Sequence, residues 1–176
     1  MATQVQERKL ARHFELLDYD RDGYIEQSDL KAFAERICQA GQVEPTSPEG
    51  RAVVQQAERL WQALQRAHDK NGDQAVSRQE FVDCAESEQV LKQAIQLGVA
   101  AFDVMDRDDD DRISMQEWLS LDRSLGVNAA DSEEGFRRLD RDGDGHISKK
   151  EFTKGVEEFY RSSNSAAPGN WTFGRF

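Results

Sequence analysis

Cysteine, histidine and methionine are scarce in this sequence, and no long apolar run occurs in it. The 176 residues include two cysteines, three histidines and three methionines. Cys38 and Cys84 lack metal-ligand spacing, so we interpret them as reduced, small apolar side chains of a cytosolic protein. No stretch approaches the roughly 18 uncharged apolar residues that span a bilayer, and the N-terminus lacks the apolar run of a secretory leader. The sequence therefore predicts a cytoplasmic protein without membrane insertion.

Positive charge is also in short supply. Lysine and arginine number 23 against 34 aspartates and glutamates, which gives a formal net charge of −11. This acidity argues against nucleic acid or an anionic membrane surface as the main partner, and it favours cations. The histidines are scattered, and we recognise no nucleophile, phosphate-binding glycine-rich loop or zinc pattern. We therefore do not expect an enzyme.

What the sequence does contain is one twelve-residue pattern in four copies, which we number loops one to four. Their first residues are Asp18, Asp69, Asp106 and Asp140. In each copy an oxygen-bearing residue occupies positions 1, 3 and 5, an aliphatic residue occupies position 8, and a carboxylate closes position 12. The most complete copy reads "DRDGDGHISKKE". This is the spacing of the EF-hand calcium loop.

Calcium explains why so many carboxylates share one short turn. As a hard cation it prefers six to eight oxygen ligands at about 2.3–2.6 Å, and alternate side chains of a tight turn can surround it. Repulsion among the carboxylates destabilises the free loop, and the double positive charge relieves that repulsion. Position 6 must bend sharply, which Gly23 and Gly145 allow without steric cost. Position 8 is expected in a short strand that pairs with the neighbouring loop, so four loops form two pairs.

The candidate metal ligands occupy positions 1, 3, 5, 7, 9 and 12, and position 7 offers its backbone carbonyl. In loop one (18–29) they are Asp18, Asp20, Asp22, Tyr24, Glu26 and Asp29. In loop two (69–80) they are Asp69, Asn71, Asp73, Ala75, Ser77 and Glu80. In loop three (106–117) they are Asp106, Asp108, Asp110, Arg112, Ser114 and Glu117. In loop four (140–151) they are Asp140, Asp142, Asp144, His146, Ser148 and Glu151. We expect up to four Ca²⁺ ions.

Three of the loops depart from the pattern. Asp111 replaces the bend glycine of loop three, and aspartate is among the residues that best tolerate a left-handed backbone. Loop one closes with Asp29, which is one methylene shorter than glutamate and suits Mg²⁺ better than a glutamate would. In loop two, Gln74 replaces the glycine and Gly72 lies two positions earlier. Loop two is therefore either a functional site with an altered turn or a degenerate loop retained to pair with loop one.

Helices are predicted on both sides of the loops. Apolar residues recur there at spacings of three to four, and we interpret these stripes as packed core rather than an exposed partner groove. They are Phe14, Leu17, Leu30, Phe33, Phe102, Met105, Trp118, Leu121, Phe136, Leu139, Phe152 and Val156. A linker at residues 40–50 precedes a long helix at about 51–67. Residues 85–100 predict a helical connection between the two halves.

The spacing of the loops divides the chain into three parts. We predict an N-terminal EF-hand pair at residues 1–90, a C-terminal pair at 91–161 and a tail at 162–176. The tail carries the aromatic residues Trp171, Phe173 and Phe176. It is too apolar for a solvated coil, so we expect it to pack back on the lobes. A peptide offered to a partner and a frayed end are the alternatives.

The layout of the whole chain resembles that of a known family. Four hands in 176 residues, a stretched first half, an aspartate closing loop one and the ending "SSNSAAPGNWTFGRF" are similar to the sarcoplasmic calcium-binding proteins and the bacterial calerythrin-like proteins. The resemblance implies an all-α molecule of the calmodulin superfamily, with two EF-hand pairs packed face to face and two or three bound ions. Here all four loops retain ligands, which departs from that count. Photoproteins and luciferin-binding proteins share the broader architecture and hold an organic ligand between the lobes.

These features favour an intracellular calcium and magnesium buffer or a restrained sensor. Sensors of the calmodulin type present methionine-rich grooves to many targets, and this sequence has three methionines. We expect a monomer. The alternatives are a calcium-gated regulator of a specific protein target and a carrier of a small apolar ligand between the lobes.

Overall fold

The computed structural model of the chain describes residues 3–68, 72–83 and 87–176. The N-terminal half contains α1 (Gln4–Leu17), β1 (Tyr24–Ile25), α2 (Gln27–Gly41), α3 (Pro48–His68), β2 (Val76–Ser77) and α4 (Arg78–Asp83). The C-terminal half contains α5 (Glu88–Met105), β3 (Arg112–Ser114), α6 (Met115–Ser124), α7 (Ala129–Leu139), β4 (His146–Ser148) and α8 (Lys149–Arg161). A 3₁₀ helix at Pro168–Trp171 follows. The all-α prediction, with loops between pairs of helices, is confirmed.

The short strands join the loops in two pairs. β1 is antiparallel to β2, with Ile25 opposite Val76, and β3 is antiparallel to β4, with Ile113 opposite Ile147. All four of these position-8 side chains are fully buried. Each pair of loops is therefore held by a two-stranded ribbon whose inward side chains belong to the core.

The exit helices begin inside the loops that precede them, and α6 and α8 are both capped by a loop serine. The Ser114 hydroxyl accepts the backbone N–H of Glu117 at the start of α6, and Ser148 accepts that of Glu151 at the start of α8. In each case the glutamate side chain bonds back to the serine N–H, which completes a capping box. A closing carboxylate thus belongs both to the loop and to the first turn of a helix.

The apolar stripes that flank the loops form one core. Every one of the twelve predicted stripe residues is buried, and they belong to a single cluster that spans both halves. Glycines allow helices to approach closely across it. A Cβ at Gly41 of α2 would lie 2.3 Å from the backbone oxygen of Val104 in α5, and one at Gly98 would lie 3.2 Å from Phe152. The interpretation of the stripes as core is therefore correct for the side chains that the structure describes.

The segments that connect the helices largely match the predictions. The long helix predicted at about 51–67 spans Pro48–His68. α2 ends where Gln42 adopts a left-handed conformation with φ 59°. The connection between the halves is α5, which begins after its N-cap, Ser87, and runs through Gly98 without interruption. Residues 84–86 lie outside the described part of the chain, and Cys84 is among them.

The C-terminal tail contacts the rest of the molecule along α1, α7 and α8. Asn170 of the 3₁₀ helix is fully buried, and a Cβ at Gly169 would lie 2.3 Å from the backbone oxygen of Gly155. Phe173 stacks on His13 with 4.2 Å between ring centroids. Burial lowers the pKa of His13 to about 3, so this ring is neutral at physiological pH. The limits of the three parts of the chain stay a prediction.

Candidate metal centres

Loop four gathers carboxylates from its first, third and last positions. Oxygens of Asp140, Asp142 and Glu151 lie within 4.8 Å of one another. Gly145 takes φ 87°, and its N–H donates to Asp140 Oδ2 at 3.0 Å. The bend that the glycine allows at position 6 therefore holds the carboxylate of the first candidate ligand, Asp140.

Glu151 is fixed by donors from both ends of its loop. Its Oε1 accepts the backbone N–H of Arg141 at 2.8 Å, and its Oε2 accepts the N–H and the hydroxyl of Ser148 at 2.9 and 2.7 Å. Burial would raise the pKa of Glu151, but these hydrogen bonds hold it below its usual value. The carboxylate is thus kept anionic and in place, which is what a divalent cation requires of a closing ligand.

Loop three has the same arrangement without the glycine. Oxygens of Asp106, Asp108 and Glu117 lie within 4.8 Å of one another. Asp111 takes φ 63° and donates its N–H to Asp106 Oδ2 at 2.9 Å. Burial acts to raise the pKa of Glu117, whereas hydrogen bonds, first from Ser114, lower it below its usual value. An aspartate in the left-handed region therefore serves in place of the bend glycine.

Loop one gathers a different set of carboxylates. Its cluster within 4.8 Å consists of Asp18, Asp20 and Asp22, at positions 1, 3 and 5. Asp18 Oδ1 is buried and accepts no hydrogen bond from the described protein. A buried carboxylate oxygen without a donor is costly unless a cation meets it. The donor set of loop one therefore fits a hard divalent ion.

The closing residue of loop one, Asp29, accepts hydrogen bonds from backbone N–H groups of its own loop. Asp29 Oδ1 accepts the N–H of Tyr19 at 3.1 Å, and Oδ2 accepts that of Glu26 at 2.8 Å. Position 9 is here a glutamate, so the serine hydroxyl that fixes Glu151 has no equivalent in loop one. Burial raises the pKa of Asp29, in contrast to the glutamates of loops three and four. Asp29 lies outside the carboxylate cluster, which agrees with a side chain one methylene shorter than glutamate.

The structure describes loop two only from residue 72 onwards. Asp69 and Asn71, two predicted ligands, lie outside the described residues. Gln74 takes φ 64° at the bend, and Glu80 Oε2 accepts the N–H and hydroxyl of Ser77 at 2.9 and 2.7 Å. The bend and the closing carboxylate are thus built as in loops three and four, although glutamine replaces the glycine of loop four. Both interpretations of loop two remain predictions.

The remaining candidate ligands contribute to the loops in other ways. Tyr24, Arg112 and His146, at position 7, are the first residues of their strands, and Ala75 comes directly before β2. The serines at position 9 donate to the closing glutamates. The position-5 residues Asp110 and Asp144 lie outside the described 4.8 Å clusters, and each accepts the N–H two residues later at 2.9 Å. Their roles as ligands stay a prediction.

Comparison with known proteins gives these loops a family. The family described as EF-hand domain pair matches residues 7–86 and 97–161.

The chain belongs to the EF-hand family, and it is a calcium-binding protein.

Relatives extend the similarity to the whole chain. Calerythrin of Saccharopolyspora erythraea is 22% identical over 172 residues, which cover 91% of this chain and 94% of calerythrin. The structure of a Streptomyces coelicolor calcium-binding protein has a TM-score of 0.78 at 28% identity and covers 88% of this chain and 97% of that one. A sarcoplasmic calcium-binding protein from amphioxus has a TM-score of 0.73 at 17% identity over 100% of both chains. The predicted resemblance to calerythrin and the sarcoplasmic proteins is confirmed.

Proposed function

We propose that this EF-hand protein is an intracellular calcium and magnesium buffer or a restrained sensor. The ligands would be the candidate residues of loops one, three and four, with loop two as a fourth site. The observation that supports this proposal best is the closed core. Among the described large apolar side chains, those exposed are Tyr19 (58%) and Tyr24 (43%), both in loop one. A groove for a target helix would need several such side chains on one face.

Polar contacts between the two halves oppose the opening of this core. Arg36 Nε on α2 donates to the carbonyl of Ser124 at the end of α6, at 2.6 Å. Ser120 Oγ donates to the carbonyl of Ala40 at 3.2 Å. A calcium sensor that opens its helix pairs would have to break these contacts as well as the packing of α2 on α5.

The tail adds a second closure through a buried lysine of α1. Lys9 is fully buried and donates to the carbonyls of Glu158 and Ser162 at 3.2 and 2.8 Å, and to Asn170 Oδ1 at 3.0 Å. Burial lowers the pKa of Lys9 to about 8, against the attraction of Glu158. The lysine thus joins α1, the end of α8 and the tail, which favours a molecule that stays closed.

A carrier of an apolar ligand finds less support. The cavity at the centre of the core, bounded by His13, Phe33, Leu97, Phe152 and Phe173, has a volume of about 40 Å³. One water needs about 10–15 Å³ on this measure, and drug-sized ligands occupy pockets of about 300–1,000 Å³. An organic ligand would therefore require the core to expand.

A calcium-gated regulator is the stronger alternative. The Streptomyces coelicolor relative is described as a calcium-binding protein in prokaryotic calcium-mediated regulation. None of the described helices combines the length and apolar character that a bilayer crossing needs. In keeping with the expectations from the sequence, the proposal also includes a cytoplasmic, monomeric, non-enzymatic protein whose partners are first of all calcium ions.

Calorimetric calcium titration with and without millimolar magnesium tests the proposal, with an apolar dye and a pull-down from cell extract as parallel measurements. A buffer or restrained sensor should show magnesium competition and no calcium-induced rise in dye binding. A large rise in dye binding, together with calcium-dependent capture of one protein, would replace the proposal by the regulator.

A further inference from the structure

An ion pair crosses between loops three and four. Arg112 Nη1 lies 3.0 Å from Asp144 Oδ2, and the geometry is that of a hydrogen bond. Arg112 occupies position 7 of loop three and opens β3, where its Cα faces Ser148 of β4. Asp144 occupies position 5 of loop four. A side chain of one calcium loop therefore contacts a candidate ligand of its neighbour.

The Asp144 carboxylate is engaged on both oxygens. While Arg112 binds Oδ2, Oδ1 accepts the backbone N–H of His146 at 2.9 Å. The His146 ring nitrogen Nδ1 lies 3.9 Å from the same Oδ1. The guanidinium thus supplies a permanent positive charge directly beside one carboxylate of loop four.

No ion pair runs in the opposite direction, from position 7 of loop four to loop three, among the described residues. Position 7 of loop four is His146, whose Nδ1 is buried without a hydrogen-bond partner in the described protein. Asp110, at position 5 of loop three, accepts on Oδ1 the backbone N–H of Arg112 at 2.9 Å. In the N-terminal pair, position 7 is Tyr24 or Ala75, and neither is a basic residue. The ion pair therefore makes the C-terminal pair asymmetric.

We propose that Arg112 of loop three lowers the calcium affinity of loop four through its ion pair with Asp144. The inference rests on the proposed function, because it takes Asp144 as a ligand of loop four. Calcium affinity in EF-hands depends on the charge of the ligands. The guanidinium relieves repulsion among the carboxylates of the free loop and opposes the approach of a doubly charged ion. Both effects stabilise the free loop relative to the bound loop.

The size of the effect follows from Coulomb's law at a partly exposed site. Both side chains of the ion pair are about half exposed, so water and salt screen the interaction. We expect loop four to bind calcium about three- to tenfold more tightly in Arg112→Gln at low ionic strength. The gain should shrink toward twofold or less in about 0.5 M salt, because screening weakens exposed charges.

Backbone amides can report each loop separately in the full chain. The Gly145 N–H bonds to Asp140 and the Asp111 N–H bonds to Asp106, so each senses the first ligand of its own loop. Calcium titration of the intact protein, followed by NMR at these two amides, gives one affinity for loop four and one for loop three. Circular dichroism checks that each variant is folded.

Two further variants separate the contact from a general change of charge. Arg112→Lys keeps the positive charge and should bind calcium at loop four within about twofold of the unmodified chain. Arg107→Gln removes a charge that acts on Glu117 of its own loop, so it should strengthen loop three more than loop four. An unchanged or lower calcium affinity of loop four in Arg112→Gln would overturn the inference. Equal gains in the calcium affinity of loop four in Arg112→Gln and Arg107→Gln would also overturn it. If the amide signal of Gly145 in the unmodified chain does not change in millimolar calcium, loop four does not bind calcium and the proposed function itself fails there.

Discussion

Loops one and four both have aspartates at positions 1, 3 and 5, yet the last position joins the carboxylate cluster only in loop four. Glu151 reaches the carboxylate cluster of loop four while two backbone N–H groups and a serine hydroxyl hold it. Asp29 accepts two backbone N–H groups in loop one and lies outside the cluster there. Glu151 is one methylene longer than Asp29 and also accepts the Ser148 hydroxyl, and these two features account for the different positions of the two carboxylates.

The comparison shows how differently an ion would act on the two exit helices. Glu151 belongs to the first turn of α8, so an ion bound by Glu151 would act directly on that helix. Asp29 belongs to the first turn of α2, but its carboxylate lies outside the carboxylate cluster of loop one. Loop four should therefore couple calcium to helix position more strongly than loop one.

The largest change should come from removing the closing carboxylate of loop four. We expect Glu151→Gln to weaken calcium binding at loop four by more than about 100-fold, since outer-shell partners of metal ligands alone account for roughly 10–100-fold. Calorimetry measures the loss. Glu157→Gln, on the exposed face of the same helix, is the matched control for lost charge and should change the affinity by less than about threefold. Equal losses in the two variants would mean that Glu151 acts only through its charge.

A substitution at Lys9 removes the contacts between α1, the C-terminal end of α8 and the tail. Lys9→Met removes a donor from the carbonyls of Glu158 and Ser162 and from the fully buried Asn170 Oδ1, so we expect the free energy of unfolding to fall by about 2–3 kcal/mol. Urea denaturation measures this, with Lys92→Met on the exposed face of α5 as a control that should cost less than about 0.5 kcal/mol. If the two variants are equally stable, the contacts of Lys9 do not hold the tail.

A buried carboxyl on α6, the exit helix of loop three, extends the comparison to pH. Burial raises the pKa of Asp122 to about 7, and its Oδ2 lacks a hydrogen-bond partner in the described structure. The folded state favours the protonated acid, so its destabilising effect is absent below about pH 4, grows as the pH rises toward 7, and is constant above. We expect the difference in unfolding free energy between Asp122→Asn and the unmodified chain to shift by about 2 kcal/mol in favour of the variant as the pH rises from 4 to 8. A difference in unfolding free energy that is independent of pH would contradict the assignment.

The smallest of these effects should appear at loop one. Asp29→Glu restores the missing methylene, and we expect it to shift the ratio of calcium to magnesium affinity about tenfold toward calcium, because calcium accepts a bidentate glutamate. The reciprocal variant, Glu117→Asp in loop three, should shift that ratio toward magnesium. Calorimetry in each metal provides both values. An unchanged ratio in both variants would show that the reach of position 12 does not set the preference.

Much of this architecture could be predicted because its determinants are local. The loops and the serine-capped exit helices follow from residues within twelve positions of one another, and the pairing of the strands follows from the even number of loops. The left-handed conformation of Asp111 could be predicted for the same reason. The burial of Lys9 could not be predicted, because its acceptors lie about 150 or more residues away in the sequence. Nothing in the pattern of α1 marks one lysine as buried. The ion pair of Arg112 with Asp144 also required the register of β3 on β4.

The central claim is that the calcium-loaded chain keeps its two halves closed on one core. Small-angle X-ray scattering of the protein in saturating calcium tests it most directly. A closed chain of 176 residues should have a radius of gyration of about 16 Å. A two-lobed particle with a radius of gyration above about 19 Å, outside the range of a compact domain of this length, would contradict the account.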